Sequence, residues 1–230
     1  MLKKKEQFVI GNGFIAKKFK KYLKFIKKNN VIVYAAGISN SLERNKNNLN
    51  KEINRLKKIL DNNKKKIIYI STYSVNDNSR KKKPYVKNKI KIEKIIQKIS
   101  KEYLIIRLPE IIGRNKNPKT LTNFFYNNII ANKKFIVHKN VQRNLLDIDD
   151  AIKKCIKIII INKNKNKKIN ILNKNFYTPL QIVKNFEKIL SKKAFYNFNI
   201  IKKNKLILKN NYFVNSSKNY LLKILKKHYI

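Results

Sequence analysis

Four short apolar runs, each followed by a longer segment of helical periodicity, occupy the first half of this chain. Phe8-Val9-Ile10, Val31-Ile32-Val33-Tyr34-Ala35-Ala36, Ile67-Ile68-Tyr69-Ile70 and Tyr103-Leu104-Ile105-Ile106-Arg107 have the length and the β-branched and aromatic content of buried strands. Between them, Phe14, Ile15, Phe19, Tyr22, Leu23 and Ile26 recur at helical spacing over 14–28, and Leu49, Ile53, Leu56 and Leu60 over 47–60. A third helix is predicted over 85–100, after a polar loop at 76–83. Strands alternating with helices in this way predict an α/β fold, a parallel sheet with helices on both faces. With right-handed crossovers that becomes a Rossmann-like doubly wound arrangement.

Beyond Arg107 the pattern loosens. Helices are predicted over 121–130, 149–161 and 178–190, with short strands at Phe135-Ile136-Val137 and Ile169-Asn170-Ile171-Leu172. Lys163 to Lys168 reads as a charged connector, and 195–230 mixes short apolar runs with Lys and Asn without a clear period. The expected organisation is a Rossmann-like domain over 1–115 and a small C-terminal part over 116–230, interleaved in one compact unit.

The charge balance is extreme: 57 Lys+Arg against 12 Asp+Glu, a net charge of +45. Such a balance invites a nucleic-acid-binding reading, which predicts steep salt dependence and indifference to base sequence. Docking on anionic membrane lipid is a second use of the same charge. Yet Lys is spread along nearly the whole chain, interleaved with Asn and Ile, the residues that AT-rich codons favour. No surface joins basic residues to stacking aromatics. Codon drift accounts for the bias, no specific nucleic-acid partner is expected, and the field still favours anionic ligands. Cys155 is alone, which excludes an intramolecular disulfide and fits a reducing cytoplasm. Met1-Leu2-Lys3-Lys4-Lys5-Glu6 lacks the apolar stretch of a signal peptide, and the longest apolar run, Ile158 to Ile161, is far too short to span a bilayer. His138 and His228 are the only histidines, so no metal site is expected.

Gly11-Asn12-Gly13-Phe14-Ile15-Ala16 lies where the first strand meets the first helix. Gly11 permits a tight turn, Gly13 lets the backbone approach a pyrophosphate, and Ala16 is small enough for close helix–strand packing. The free N–H groups of the helix start favour phosphate. This context points to a nicotinamide dinucleotide. The acidic residue that usually follows some 20 residues on, at the end of a second strand, has no counterpart: that strand ends in Ala35-Ala36-Gly37. The cofactor is therefore read as NAD or NADP.

Tyr85 and Lys89 stand four residues apart at the start of the third helix, on one face. A lysine beside a phenol favours the phenolate and makes an acid/base able to move a hydroxyl proton near neutral pH. In a chain so rich in Lys and Tyr the spacing alone also describes an ordinary solvated face. The order of the motifs adds to it. Ser71-Thr72-Tyr73-Ser74-Val75 follows the third strand at its C-terminal end, where ligands of open α/β sheets bind.

Taken in order, these pieces resemble the extended short-chain dehydrogenase/reductases, the NAD-dependent epimerase/dehydratase family. The resemblance runs from about Phe8 to Leu190. It includes Ile70-Ser71-Thr72, Arg107-Leu108-Pro109-Glu110-Ile111-Ile112-Gly113 and Arg143-Asn144-Leu145-Leu146-Asp147-Ile148-Asp149-Asp150-Ala151. It implies that Thr72 polarises the substrate, that Tyr85 is the acid/base, and that Lys89 holds the nicotinamide ribose and eases loss of the Tyr85 proton. Gly11, Asn12, Gly13, Phe14, Ile15, Ala35, Ala36, Gly37 and Pro109 would line the dinucleotide together with Tyr85 and Lys89. Arg143 would meet the diphosphate of a nucleotide-sugar with its planar donor fork. Asp147, Asp149 and Asp150 read as caps of the helix that follows, and Arg107 as a residue that pairs with nearby chain.

The implied function is an NAD(P)-dependent nucleotide-sugar epimerase, dehydratase or reductase of surface polysaccharide synthesis, cytoplasmic, with a homodimer as candidate assembly. The chain departs from the pattern in two places. The segment between the first helix and the Ala35-Ala36-Gly37 strand is short, as if a strand–helix–strand piece were deleted, which predicts a narrower sheet. The loop from Thr72 to Tyr85 is also short. These departures motivate a rival reading, a catalytically inactive dinucleotide-binding homologue.

Overall fold

The computed structural model describes residues 7–115, 117–161, 165–204, 206, 209–214 and 217–230. The N-terminal stretch Met1 to Glu6 and part of the Lys163–Lys168 connector lie outside the described residues. β1 (Val9–Ile10) leads into α1 (Phe14–Lys20) and α2 (Leu23–Lys28). β2 (Val31–Tyr34) is followed by α3 (Lys46–Asp61), and β3 (Lys66–Thr72) by a 3-10 turn (Tyr73–Asn76) and α4 (Pro84–Ile99). After β4 (Tyr103–Leu108) come β5 (Glu110–Ile112), α5 (Leu121–Ile130), β6 (Phe135–Lys139), β7 (Arg143–Asp147) and α6 (Ile148–Ile160). The chain closes with β8 (Lys167–Asn173), β9 (Phe176–Tyr177), α7 (Pro179–Leu190), β10 (Tyr196–Ile200), β11 (Asn211–Val214) and α8 (Tyr220–Tyr229).

The central sheet is parallel throughout, in the order β1-β2-β3-β4-β8-β11. Two small sheets flank it: β6 with β10, and β5-β7-β9. Alternate residues of each central strand enter different cores, as the pleat requires. Val31 and Val33 join Ile68, Ile70, Leu104 and Ile106 in the larger cluster, against Phe19, Ile26 and Ile152 of α1, α2 and α6. Ile32, Tyr34, Ile67, Tyr69 and Ile105 face the other way, against Ile53 and Leu56 of α3 and Ile92 and Ile96 of α4.

That division corrects the expectation of uniform right-handed crossovers. The steps β1 to β2, β2 to β3 and β3 to β4 move across the sheet in the same direction. Yet α1 and α2 cover one face while α3 and α4 cover the other. The first connection therefore has the opposite hand to the next two, so they cannot all obey the right-handed rule.

The single helix expected over 14–28 is two helices. Tyr22 N–H donates to Phe19 O, an i→i−3 bond that tightens the chain at Lys21–Tyr22 with no Gly or Pro to mark it. The second strand also stops at Tyr34, so Ala35 and Ala36 lie just past its end. At the C-terminus, α8 docks on the start of α6. Tyr220 Oη accepts from Asp147 N–H and donates to Asp150 Oδ2, while Lys227 and His228 reach the Asp147 carboxylate at 3.0 and 2.6 Å. No helix among the described residues is long and apolar enough to cross a membrane.

Candidate active site

The C-terminal ends of β1, β2, β3 and β4 lie side by side because the strands are parallel and in register. The glycine turn follows β1, Ala35-Ala36-Gly37 follows β2, Thr72 ends β3 and Pro109 follows β4. Gly11 follows β1 with φ +123°, a region that disfavours any side chain. A Cβ there would stand 2.6 Å from Ala35 O and 2.9 Å from Ala36 N. The glycine turn therefore lies directly on the backbone of Ala35-Ala36, bringing two of the predicted segments together. Gly13 precedes α1 with extended backbone, and the position of its missing Cβ has no heavy atom within 4 Å, which leaves an open cradle. Asn12 is exposed and accepts from Lys20 Nζ at 3.0 Å.

Not every predicted lining residue points to that cradle. Ile15 packs against the larger core, and Ala16 is fully buried beneath the turn. The Phe14 ring lies against Gly113, where any side chain would collide with it and with Ile148. Phe14 and Ile15 thus border the cradle through their backbone. Pro109 sits between β4 and β5, past the end of β4.

Pro84 opens α4, its fixed φ suited to a first helical position and its missing N–H costing nothing there. Tyr85 is therefore in the first turn, packed with Val75 and Val86. Lys89 lies one turn on, its Nζ 5.5 Å from the centre of the Tyr85 ring and 5.6 Å from that of Tyr69. The two share a face as predicted. Lys89 is not solvated, however: its side chain is 3% exposed and donates to Glu52 Oε1 at 2.7 Å. Glu52, 2% exposed on α3, also accepts from Tyr69 Oη at 3.3 Å and Ile38 N–H at 3.2 Å. Burial, with the Glu52 carboxylate next, raises the Tyr69 phenol well above its usual range, so it stays a donor. Gly37 leaves room for this pair, since a side chain at 37 would meet Lys89 Nζ and come within 3.0 Å of Glu52 Oε1.

Glu52 escaped the sequence reading because a carboxylate on a helix usually marks the wet face. Its position carried the signal: it lies within the buried stripe of Leu49, Ile53 and Leu56.

Thr72 ends β3, and its Oγ1 accepts from Ser74 N–H at 3.2 Å as the cap of the 3-10 turn. The hydroxyl proton remains to be donated. Its neighbour Ser71 faces the opposite side and donates to Glu93 Oε1 at 2.6 Å. Glu93 stands one turn beyond Lys89 on α4 and binds the Arg107 guanidinium through both oxygens. Arg107 also donates to Asn76 Oδ1. The pairing expected of Arg107 is with these residues.

Arg143 opens β7, half-buried, with Nη1 3.6 Å from Asp77 Oδ2 and Nε 3.8 Å from Glu110 Oε1. Arg80 contacts the same two carboxylates. Asp147 caps α6 by accepting from the N–H groups of Asp149 and Asp150, as predicted. Asp149 instead pairs with Lys18 and Lys227.

The sequence over residues 3–171 matches the model of the NAD dependent epimerase/dehydratase family. No curated protein matches the chain at a significant level. Solved structures share its fold. UDP-glucuronic acid 4-epimerase from Bacillus cereus, in complex with NAD, superposes with a TM-score of 0.65 at 19% identity, covering 97% of this chain and 87% of the other. dTDP-glucose 4,6-dehydratase from Bacillus anthracis, in complex with NAD, gives 0.63 at 16% identity, covering 94% and 78%. RMD from Pseudomonas aeruginosa, complexed with NADPH, gives 0.65 at 12% identity, covering 94% and 90%.

Proposed function

The chain belongs to the NAD-dependent epimerase/dehydratase family, and we propose that it is an NAD(P)-dependent enzyme acting on a nucleotide-activated sugar. One observation carries this reading: three successive residues after β2 join the dinucleotide turn to the basic side chain. Ala35 and Ala36 meet Gly11, and Gly37 makes room for Lys89.

The residues fit the cofactor where its pyrophosphate and nicotinamide ribose would lie. The open space at Gly13 and the close seat of Gly11 suit a backbone that approaches phosphate, while Lys89 keeps donors beyond the one given to Glu52. When bound, the nicotinamide supplies hydride exchange with a carbon of the sugar. Tyr85 moves the proton of the hydroxyl on that carbon. Thr72 donates to the same oxygen, its orientation set by the Ser74 N–H that it accepts. Lys89, fixed by Glu52, supports Tyr85 from one turn below. Arg143 receives the diphosphate of the substrate. Surface polysaccharide synthesis in the cytoplasm is the setting we propose. Reduction of a keto-sugar and epimerisation through one use the same residues.

The test is incubation of purified protein with NADH or NADPH and a panel of nucleotide-keto-sugars. Oxidation of the cofactor is expected, and Tyr85→Phe is expected to abolish it. A variant as active as the parent would sink the mechanism.

A second reading has an observation of its own. Lys89 is already ion-paired with Glu52, and the central sheet ends at β1. Both favour a protein that binds dinucleotide without turnover. It predicts cofactor retained in the purified protein and no activity that depends on Lys89.

A further inference from the structure

The ion cluster around Arg143 differs in kind from other charged pairs in the molecule. Lys18–Asp149, Lys89–Glu52 and Lys165–Glu102 close to 2.6, 2.7 and 2.7 Å. Around Arg143 the separations are longer. Arg80 Nε stands 3.7 Å from Asp77 Oδ2 and Arg80 Nη2 3.4 Å from Glu110 Oε1. Arg143 stands 3.6 and 3.8 Å from the same two oxygens.

A quartet built only to fasten the loop to β7 would close those gaps, since guanidinium–carboxylate hydrogen bonds are about 2.7–2.9 Å long. Instead Arg143 Nε and Glu110 Oε2 are buried with no hydrogen-bond partner. Asp77 is already engaged by Ser79 and by Asn204 Nδ2. Arg80 has one further contact, from Nη1 to Ser74 Oγ at 3.3 Å.

Lys83 adjoins the group, its backbone N–H donating to Arg80 O at 2.9 Å. Burial, then the nearby Arg80, Arg143 and Arg44, lowers the Lys83 ammonium from its ordinary range. Three cations, Arg80, Arg143 and Lys83, thus stand with two carboxylates, and the local excess is positive. Lys83 occupies the position just before α4, two residues before Tyr85. The setting in the sequence agrees: only six of the 57 basic residues are arginines. Where drift has made lysine the common cation, two arginines converging on the same two carboxylate oxygens mark a demand for planar, forked donors.

We propose that Arg80, on the short connection into α4, is a second phosphate-binding arginine that closes with Arg143 on the diphosphate of the substrate, with Lys83 at its edge. This rests on the nucleotide-sugar reading for the identity of the substrate, but the anion site is testable without it. The oxygens of a diphosphate satisfy the open Arg143 Nε and draw both guanidinium groups off Asp77 and Glu110. Arg80 is a binding residue in this account and moves no proton.

The experiment is titration calorimetry of the full chain with UDP, dTDP, GDP and inorganic pyrophosphate, in about 0.3 M salt to screen the surface lysines. NADH binding is followed separately by fluorescence. Saturable binding of a nucleoside diphosphate is expected. Arg80→Met should weaken it at least about tenfold while leaving the NADH Kd within about twofold. Arg80→Lys keeps the charge and should recover only part of the loss, and it replaces Arg80→Met if that variant does not fold. A surface control, Lys153→Met, should change neither. The proposal is overturned if no nucleoside diphosphate or pyrophosphate saturates, if Arg80→Met binds as the parent does, if Arg80→Lys binds as the parent does, or if NADH weakens in parallel. Binding that depends on Arg80, with no turnover of any nucleotide-sugar, refutes the enzyme reading and leaves the clamp standing.

Discussion

Replacing Glu52 by Gln isolates the least expected contact of the site. The Lys89–Glu52 pair is 2.7 Å long, with side chains 3% and 2% exposed. Removing one charge leaves the other buried and unpaired, which costs about 3–5 kcal/mol. Gln can keep one acceptor for Tyr69 Oη or Ile38 N–H, so the lower figure, about 3 kcal/mol, is the expectation. For a chain of this size that corresponds to a fall in Tm of roughly 6–12 °C. Lys89→Met should cost a similar amount by stranding Glu52. The double variant, Glu52→Gln with Lys89→Met, removes both charges and should recover at least about 2 kcal/mol of the summed losses. Urea unfolding at neutral pH of the parent, the two single variants and the double variant measures this. NADH binding by the double variant reports the second role, because it is folded yet lacks Nζ, and affinity should drop. Losses that simply add would refute the pairing. Unchanged NADH affinity in the double variant would remove Lys89 from the cofactor site.

Three further outcomes are expected. Gly11→Ala places a Cβ 2.6 Å from Ala35 O at φ +123°. It should cost at least about 2 kcal/mol in urea unfolding and abolish NADH binding; full binding would place the dinucleotide elsewhere. At Asp147, burial opposes the charge, but hydrogen bonds from His228, Lys227 and Asp150 N–H outweigh it and hold the carboxyl far below its ordinary range. Its contribution to stability is therefore complete above about pH 4 and is lost as pH falls further. Asp147→Asn keeps a competent cap for α6, so it should loosen α8 selectively, seen as faster amide exchange over 220–229, and should flatten the acid limb of the stability curve. Cys155 is fully buried, and burial raises its thiol well above the usual range. It should resist a thiol reagent in the native state and react on unfolding.

The helices legible in the sequence are those whose apolar stripe is uninterrupted. The spacing over 121–130 and 47–60 predicts α5 and α3 to within a residue at each end. What stayed hidden depends on asparagine. Asn144 is 5% exposed in the middle of β7, donates to Asn173 O and accepts from Asn173 N–H. Asn170 in β8 accepts from Asn76 and donates to Asn211 in β11. In a chain where asparagine also fills most loops, a hydropathy pattern cannot separate these buried, fully bonded residues from solvated ones. Strands β7 and β11 were lost for that reason. The acidic residues carry the same lesson. Glu52, Asp77, Glu93, Glu110 and Asp147 each hold a buried or half-buried cation or cap. Of these only Asp147 was legible, as the cap of the helix that follows it.

The reversed hand of the first crossover accounts for the missing ribose carboxylate. In a doubly wound sheet the first strand is central. Its helix leads outward to a second and a third strand on one side, and the other half of the fold winds away on the other side with its helices on the opposite face. Excision of the second strand, its helix and the third would leave the first helix on its own face, feeding the strand across the divide. That is the arrangement here. The helices α1 and α2 share a face with α6, yet the strand they enter, β2, neighbours β3 on the side served by α3 and α4. β2 thus takes the place of the fourth strand of the full fold, and on the function proposed above its Ala35-Ala36-Gly37 end lies beside the nicotinamide half of the cofactor. The acidic residue expected some 20 residues after the glycine turn is absent because the strand that would carry it is absent. The central sheet ends at β1, so on the same proposal the grip on the adenosine falls to the loops around Gly13. This is the end of the cofactor at which affinity should be weakest, and ADP-ribose should gain less over pyrophosphate here than in a protein with the full sheet.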